Sequence, residues 1–165
     1  MSEYPEVAIN KYVWKQFQIA KPAIYSQYGS TVPFFPVTDV KAGDTAWGTK
    51  PYVIYDSFIR ARSTNRYFYP VKCAQIMYSI KGTLSEIYDW RDFIINVLDR
   101  EDAAAKEINE FAGTLNNNKY YFHCINASQL KYIATSTKDN GIKERYSTEL
   151  IIRYDYHLTN IYNNN

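Results

Sequence analysis

FYPVKCAQIMYSIKGTLSEIYDWRDFIINVLD, residues Phe68–Asp99, changes its hydrophobic period midway, and that change decides the fold. Up to Ile80 the run is rich in β-branched and aromatic residues, which reads as a strand. Beyond Gly82 the apolar residues recur every third or fourth position, with Trp90, Phe93, Ile94, Val97 and Leu98 on one face. Thr83 followed by Glu86 is a capping box: the Thr side chain accepts from a free backbone N–H, and the Glu returns to the cap residue's own N–H. The face continues through Ala104, Ala105, Ile108 and Phe111, with Asp89, Asp92, Asn96, Arg100, Lys106 and Glu110 opposite. The spacing therefore predicts one long helix to about Ala112, stopped by Gly113 and the Asn116, Asn117, Asn118 tract. Such a stripe must lie on a sheet.

Working outward, Pro5–Ala20 has Ile9, Tyr12, Val13, Phe17 and Ala20 at helical spacing, a proline in its first turn and Pro22 to end it. Tyr52–Ile59 and Phe68–Ile80, joined by the arginine-bearing RARSTNR connection, read as adjacent antiparallel strands. Tyr120–Leu130 is a further strand. Arg145–Leu158 alternates, with Tyr146, Thr148, Leu150, Ile152, Tyr154, Tyr156 and Leu158 on one face and only Ile151 breaking the other. At ~3.3 Å per residue it is roughly twice the usual strand length, so its far end needs a neighbour or is exposed. Ser136–Arg145 reads as the connecting turn, with Asn140 and Gly141 supplying the positive φ of a hairpin, and the tail NIYNNN as frayed. The expectation is a single domain over residues 1–165. Its class is α+β, a mostly antiparallel sheet of about four to five strands covered by an N-terminal helix and one long helix.

The 165 residues suffice for one core, and 46% apolar with 22% charged residues is ordinary globular usage. A formal charge of +2 is too small for a domain-wide basic face, so any basic site is local. MSEYPEVAINKY lacks the basic end and apolar run of a signal peptide, and no window approaches ~18 uninterrupted apolar residues, so a soluble protein made inside a cell is expected, with no membrane partner. Cys73 and Cys124 lack CxxC spacing and read as free buried thiols. The abnormal feature is 17 tyrosines, which fit an interface-rich surface and a strand-rich fold equally well.

The search for chemistry is negative. His123 lies in a strand beside Phe122 and Cys124, and His157 on the polar face of the last strand. Neither belongs to a metal-binding motif, and strand neighbours point to opposite faces, which excludes a Cys124/His123 pair; only Cys73 is left to approach His123. His123 reads as a hydrogen-bonded core histidine. Asp89, Asp92, Asp99, Glu101 and Asp102 share a solvated helix face with Arg91, Arg100 and Lys106, and GSTVP and GDTAWG lack the lysine and helix of a phosphate cradle. No catalysis, metal or cofactor is expected. What remains is a basic cluster, Arg60, Arg62 and Arg66, with Tyr67 and Tyr69 beside it, which suits a protein-docking finger or single-stranded nucleic acid.

In order and texture the chain resembles the tail terminator proteins of long-tailed bacteriophages over nearly its whole length. The resemblance rests on a first helix, the proline-flanked strand PFFPV, a polar loop, PYVIYD entered through Pro51, the strand YPVKCAQIMYSIKG, the capped helix SEIYDWRDFIINVLD and a closing hairpin ending ELIIRYDYHL. It implies a virion structural protein, assembled in the host cytoplasm, that forms a ring, usually a hexamer. Such a ring caps the finished tail tube and offers the head–tail connector a surface to join. The implied partners are further copies of the chain, the tail tube protein, a connector or neck protein and, where the tail carries one, the sheath. The loop TDVKAGDTAWGTK would then be a contact arm. Trp47 on that loop and Arg60, Arg62 and Arg66 on the hairpin are candidate docking residues, and Tyr52, Tyr154 and Tyr156 a candidate subunit interface. Trp47 folding back onto its own core is the competing reading. Longer loops and the arginine-bearing hairpin set this chain apart from the small family members. Another neck or head-completion protein shares the same physical logic. A single-stranded nucleic-acid-binding module would need the arginine cluster to extend across a sheet face.

Overall fold

The computed structural model describes residues 4–39, 50–62, 71–114, 119–130, 135–139 and 143–159, with the backbone alone at 39, 59–62, 135–139 and 143–145. α1 (Pro5–Ala20) starts on its proline and ends where the Lys21 N–H bonds the Phe17 carbonyl, after which Pro22 opens the single turn α2 (Pro22–Tyr25). β1 (Phe34–Pro36) lies parallel to β2 (Tyr52–Arg62), and β2 pairs antiparallel with β3 (Lys72–Gly82). α3 (Leu84–Leu98) follows through the expected capping box, the Glu86 carboxylate accepting from the Thr83 N–H at 3.1 Å and its hydroxyl at 2.6 Å. α4 (Asp102–Thr114), β4 (Tyr120–Gln129), β5 (Thr135–Asp139) and β6 (Lys143–Leu158) complete the described elements. The sheet order is β1-β2-β3-β6-β4, with β5 also pairing β6 and every pair but β1–β2 antiparallel. The fold is α+β.

The expected single helix is two. Its apolar face continues across the break, but Glu101 takes φ 51°, a conformation uncommon outside glycine, and turns the chain. What holds it there is the sheet: the Glu101 N–H donates to the Ile125 carbonyl at 3.0 Å and its carbonyl accepts from the Ile125 N–H at 3.3 Å. Two further contacts continue the row. The Asp99 carboxylate accepts from the Ala127 N–H at 3.2 Å, and the Asn109 amide clasps both backbone groups of Phe122 at 2.8 and 2.9 Å. The helix corner and α4 thus satisfy the outer edge of β4, which would otherwise offer unpaired groups to another strand.

The hairpin is also tighter than its sequence suggests. Ser136–Asp139, read as part of the connecting turn, belongs with Thr135 to a strand that pairs with β6 from Thr135↔Ser147 to Asp139↔Lys143, and residues 140–142 between them lie outside the described residues. Polar Thr, Ser and Lys give no apolar period, so the strand is defined by its backbone pairing. This also accounts for the length of β6, since β3 reaches only to Gly82 opposite Tyr146, and the first residues of β6 pair with β5 as a two-stranded ribbon running past the end of β3.

One face of the sheet is covered. Val53, Ala74, Ile76, Tyr78, Ile80, Ile125, Leu150 and Ile152 meet Ile9, Val13 and Phe17 of α1, Ile87, Trp90, Ile94 and Leu98 of α3, and Ala104, Ala105 and Ile108 of α4 in one buried cluster. Buried tyrosines carry their hydroxyls to partners inside the chain, Tyr28 to the Pro51 carbonyl and Tyr78 to the Asn10 side-chain oxygen. Burial raises their pKa values, keeping them protonated donors.

Tyr12 does the same at the helix corner. Arg100 holds Glu107 with two bonds of 2.9 and 2.6 Å and reaches the Val97 carbonyl and the Tyr12 hydroxyl, while Tyr12 itself donates to Glu107. Hydrogen bonds from Arg100, then from Tyr12, lower the Glu107 pKa from 4.5 to about 2. A folded-state pKa below the unfolded value means that this carboxylate stabilises the fold above pH about 4.5 and loses that contribution as pH falls toward 2. Both partners are partly solvated, so Glu107→Gln should cost only about 0.5–1 kcal/mol at pH 7. Urea titrations of both proteins at pH 7, 4 and 3 should show the gap closing with acid; a gap that widens would refute the assignment.

Candidate functional site

The other face of the sheet has no helix over it among the described residues. Strand register sets its rows. Phe58, Gln75, Arg153 and Asn126 lie side by side across β2, β3, β6 and β4, followed by Asp56, Met77, Ile151 and Ser128. Phe58 is 44% exposed although flanked by two paired strand residues, and Gln75 beside it is 7% exposed with its Oε1 lacking any hydrogen-bond partner. Asp56 and Arg153 are exposed, so the face mixes apolar centres with both signs of charge. Leu130, 49% exposed, ends the next row, bonding its N–H to the Glu149 carbonyl at 2.8 Å.

Toward the end of the sheet nearest the β2–β3 connection, Cys73 and Cys124 flank Asp155 in register and line an open pocket of about 230 Å³ with Asn126 and Arg153. Two thiols on opposite sides of an intervening strand are too far apart for a disulfide, and neither is in one. Burial first, then Asp155, raises the Cys124 pKa, which keeps the thiol protonated and a poor nucleophile.

Next to the pocket β4 carries an extra residue. Phe122 pairs with Tyr156 and Cys124 with Asp155, so His123 is a one-residue bulge. The bulge overturns the strand-neighbour argument. His123 leaves the core side, where Phe122 is buried, and turns to His157, whose Nδ1 lies 2.7 Å from its Nε2. Tyr121, half exposed, packs on both rings with centroids 5.2 Å away. Burial lowers the pKa of each histidine; Asp155 partly opposes this for His123, and His123 lowers His157 further. His123 is therefore not the core histidine read from sequence, and each histidine has the other as a neighbour. Among the described residues no three His, Cys, Asp or Glu side chains are grouped to hold a metal ion.

Other site residues divide. Tyr52, Tyr154 and Tyr156 are 2, 3 and 5% exposed, and Tyr154 and Tyr156 belong to the helix-covered core, so these rings are internal packing and not a surface for a second subunit. The alternation of β6 pointed Tyr154 and Tyr156 inward to the helix-covered cluster, whereas Tyr52, on β2, packs edge-on against Phe35 at 6.2 Å. Arg60 and Arg62 lie on β2 where its ladder with β3 shifts register between Ile59 and Arg62. Arg66 and Trp47 lie outside the described residues. Phe58 and the histidine pair were missed: a lone Phe carries no mark of its face, and a bulge leaves no trace in periodicity. No helix among the described residues is long and apolar enough to cross a membrane. No protein-family model matches the chain, and no curated protein matches it closely enough to count as a relative.

Proposed function

We propose that this chain is a virion structural subunit that assembles into a ring, most simply a hexamer, to cap a phage tail tube and join it to the head connector. The observation that carries this reading is the one-sided sheet: helices cover one face, while on the other Phe58 is 44% exposed, in a row with the exposed charge of Arg153 and next to the row that carries exposed Asp56. An apolar centre ringed by charges is the anatomy of a protein contact. The β5–β6 ribbon, projecting past β3, gives each subunit an arm for a neighbour. The blocked edge of β4 argues against open-ended strand addition and for closed assembly through faces. Trp47 and the Arg60, Arg62, Arg66 hairpin are the proposed contacts to tube and connector. Catalysis and a cofactor have no part in this reading.

The test is light scattering at high protein concentration, then sedimentation with purified tail tubes. The expected result is a closed oligomer, formed alone or on the tube end. A chain that stays monomeric in both conditions contradicts the proposal.

A further inference from the structure

We propose that His123 and His157 form a two-imidazole site for a borderline divalent transition-metal ion, of the Ni²⁺, Cu²⁺ and Zn²⁺ class, on the open face of the sheet. Imidazole nitrogen is the preferred protein donor for these ions, at metal–nitrogen distances of about 2.0–2.1 Å. Two such donors at a right angle around one ion are about 2.9 Å apart by that geometry, and the observed separation is 2.7 Å. The ring centroids are 4.9 Å apart, so the two nitrogens face each other nearly end to end, and each ring turns by about 45° to bring both lone pairs to one ion at a right angle.

The arrangement is held from behind. Asn109 clasps Phe122 at the start of the bulge, Glu101 pins Ile125 beyond it, and β6 fixes His157 opposite Tyr121. Tyr121 packs on both rings and keeps them side by side at the strand surface. In the metal-free pair one facing nitrogen carries a proton that the other accepts. For both lone pairs to reach an ion, that proton moves through solvent to the far nitrogen of its own ring, and two neutral rings release no net proton. No third His, Cys, Asp or Glu side chain joins the pair among the described residues. The site is open and exchangeable, and it stands whether or not the chain forms a ring.

The chain has only two histidines, which makes the test direct. Untagged protein is titrated with NiCl₂ while the imidazole proton resonances are followed by NMR and the heat of binding by calorimetry. Both histidines should broaden together and saturate near one ion per chain. His123→Asn and His157→Asn, checked for folding by circular dichroism, should each weaken binding by about tenfold or more. Cys73→Ser with Cys124→Ser should bind as the parent does, which separates the histidines from the neighbouring thiols. Broadening of only one histidine, or of neither, at stoichiometric Ni²⁺ would overturn the site. So would binding that survives in folded His157→Asn or disappears in the double serine variant.

Discussion

Trp90→Ala should lower the unfolding free energy by about 3–5 kcal/mol, the largest loss expected from a single side chain here. Trp90 is 1% exposed and lies where three elements meet, its ring 4.8 Å from Phe17 and 6.1 Å from both Trp14 and Tyr28. Removing it opens a cavity between α3, α1 and the Ser26–Tyr28 turn, and rigid aromatic neighbours cannot collapse into it without leaving their rotamers. A loss of that size is a large fraction of the roughly 5–15 kcal/mol that holds an ordinary domain together. Urea denaturation should show a lower midpoint with an unchanged slope, whereas Leu84→Ala, on an exposed position of the same helix, should stay within about 0.5 kcal/mol. A Trp90→Ala loss below about 1 kcal/mol would mean that the cluster is not packed as described.

Phe58→Asp should leave the fold intact and prevent assembly. The ring is 44% exposed in the isolated chain, so the unfolding midpoint should move far less than for a core residue. If the open face packs against a neighbour, the same substitution buries a carboxylate beside the apolar centre and weakens association by about 2 kcal/mol or more, roughly thirtyfold. Ile19→Asp is the control, since Ile19 is an apolar residue on the helical side that is more solvated still, 66% against 44% exposed. Sedimentation of both variants with and without tail tubes decides the matter. Assembly that survives Phe58→Asp would remove this face from the ring, and assembly lost equally in both variants would point to general destabilisation of the oligomer.

Local pattern was enough for a large part of the fold. The change of period at Gly82, the Thr83–Glu86 cap, the prolines bounding α1 and the alternation of Tyr146 to Leu158 are each written within a few residues, and each element formed where its pattern lies. The buried side of β6 was legible for the same reason. Alternation itself placed Tyr154 and Tyr156 under the helices, even though the abundance of tyrosine suggested a surface. Composition cannot separate a tyrosine whose hydroxyl bonds a neighbouring helix from one that meets a partner.

Other features depend on which strand lies beside which. The chain breaks at Glu101 because Ile125, 24 residues on, supplies the backbone partners that hold a left-handed residue in place. β5 exists as a strand because β6 is long enough to pair it. His123 and Cys124 share one face because one residue too many on β4 is absorbed as a bulge, where strict alternation puts strand neighbours on opposite faces. The sequence by itself determined α1, the start of α3, most of the strands and the side of β6 that is buried, because propensity and periodicity act between neighbours along the chain. The tertiary structure alone decided the broken helix, the protected edge of β4 and the histidine pair, because those follow from hydrogen bonds between backbone groups far apart in sequence.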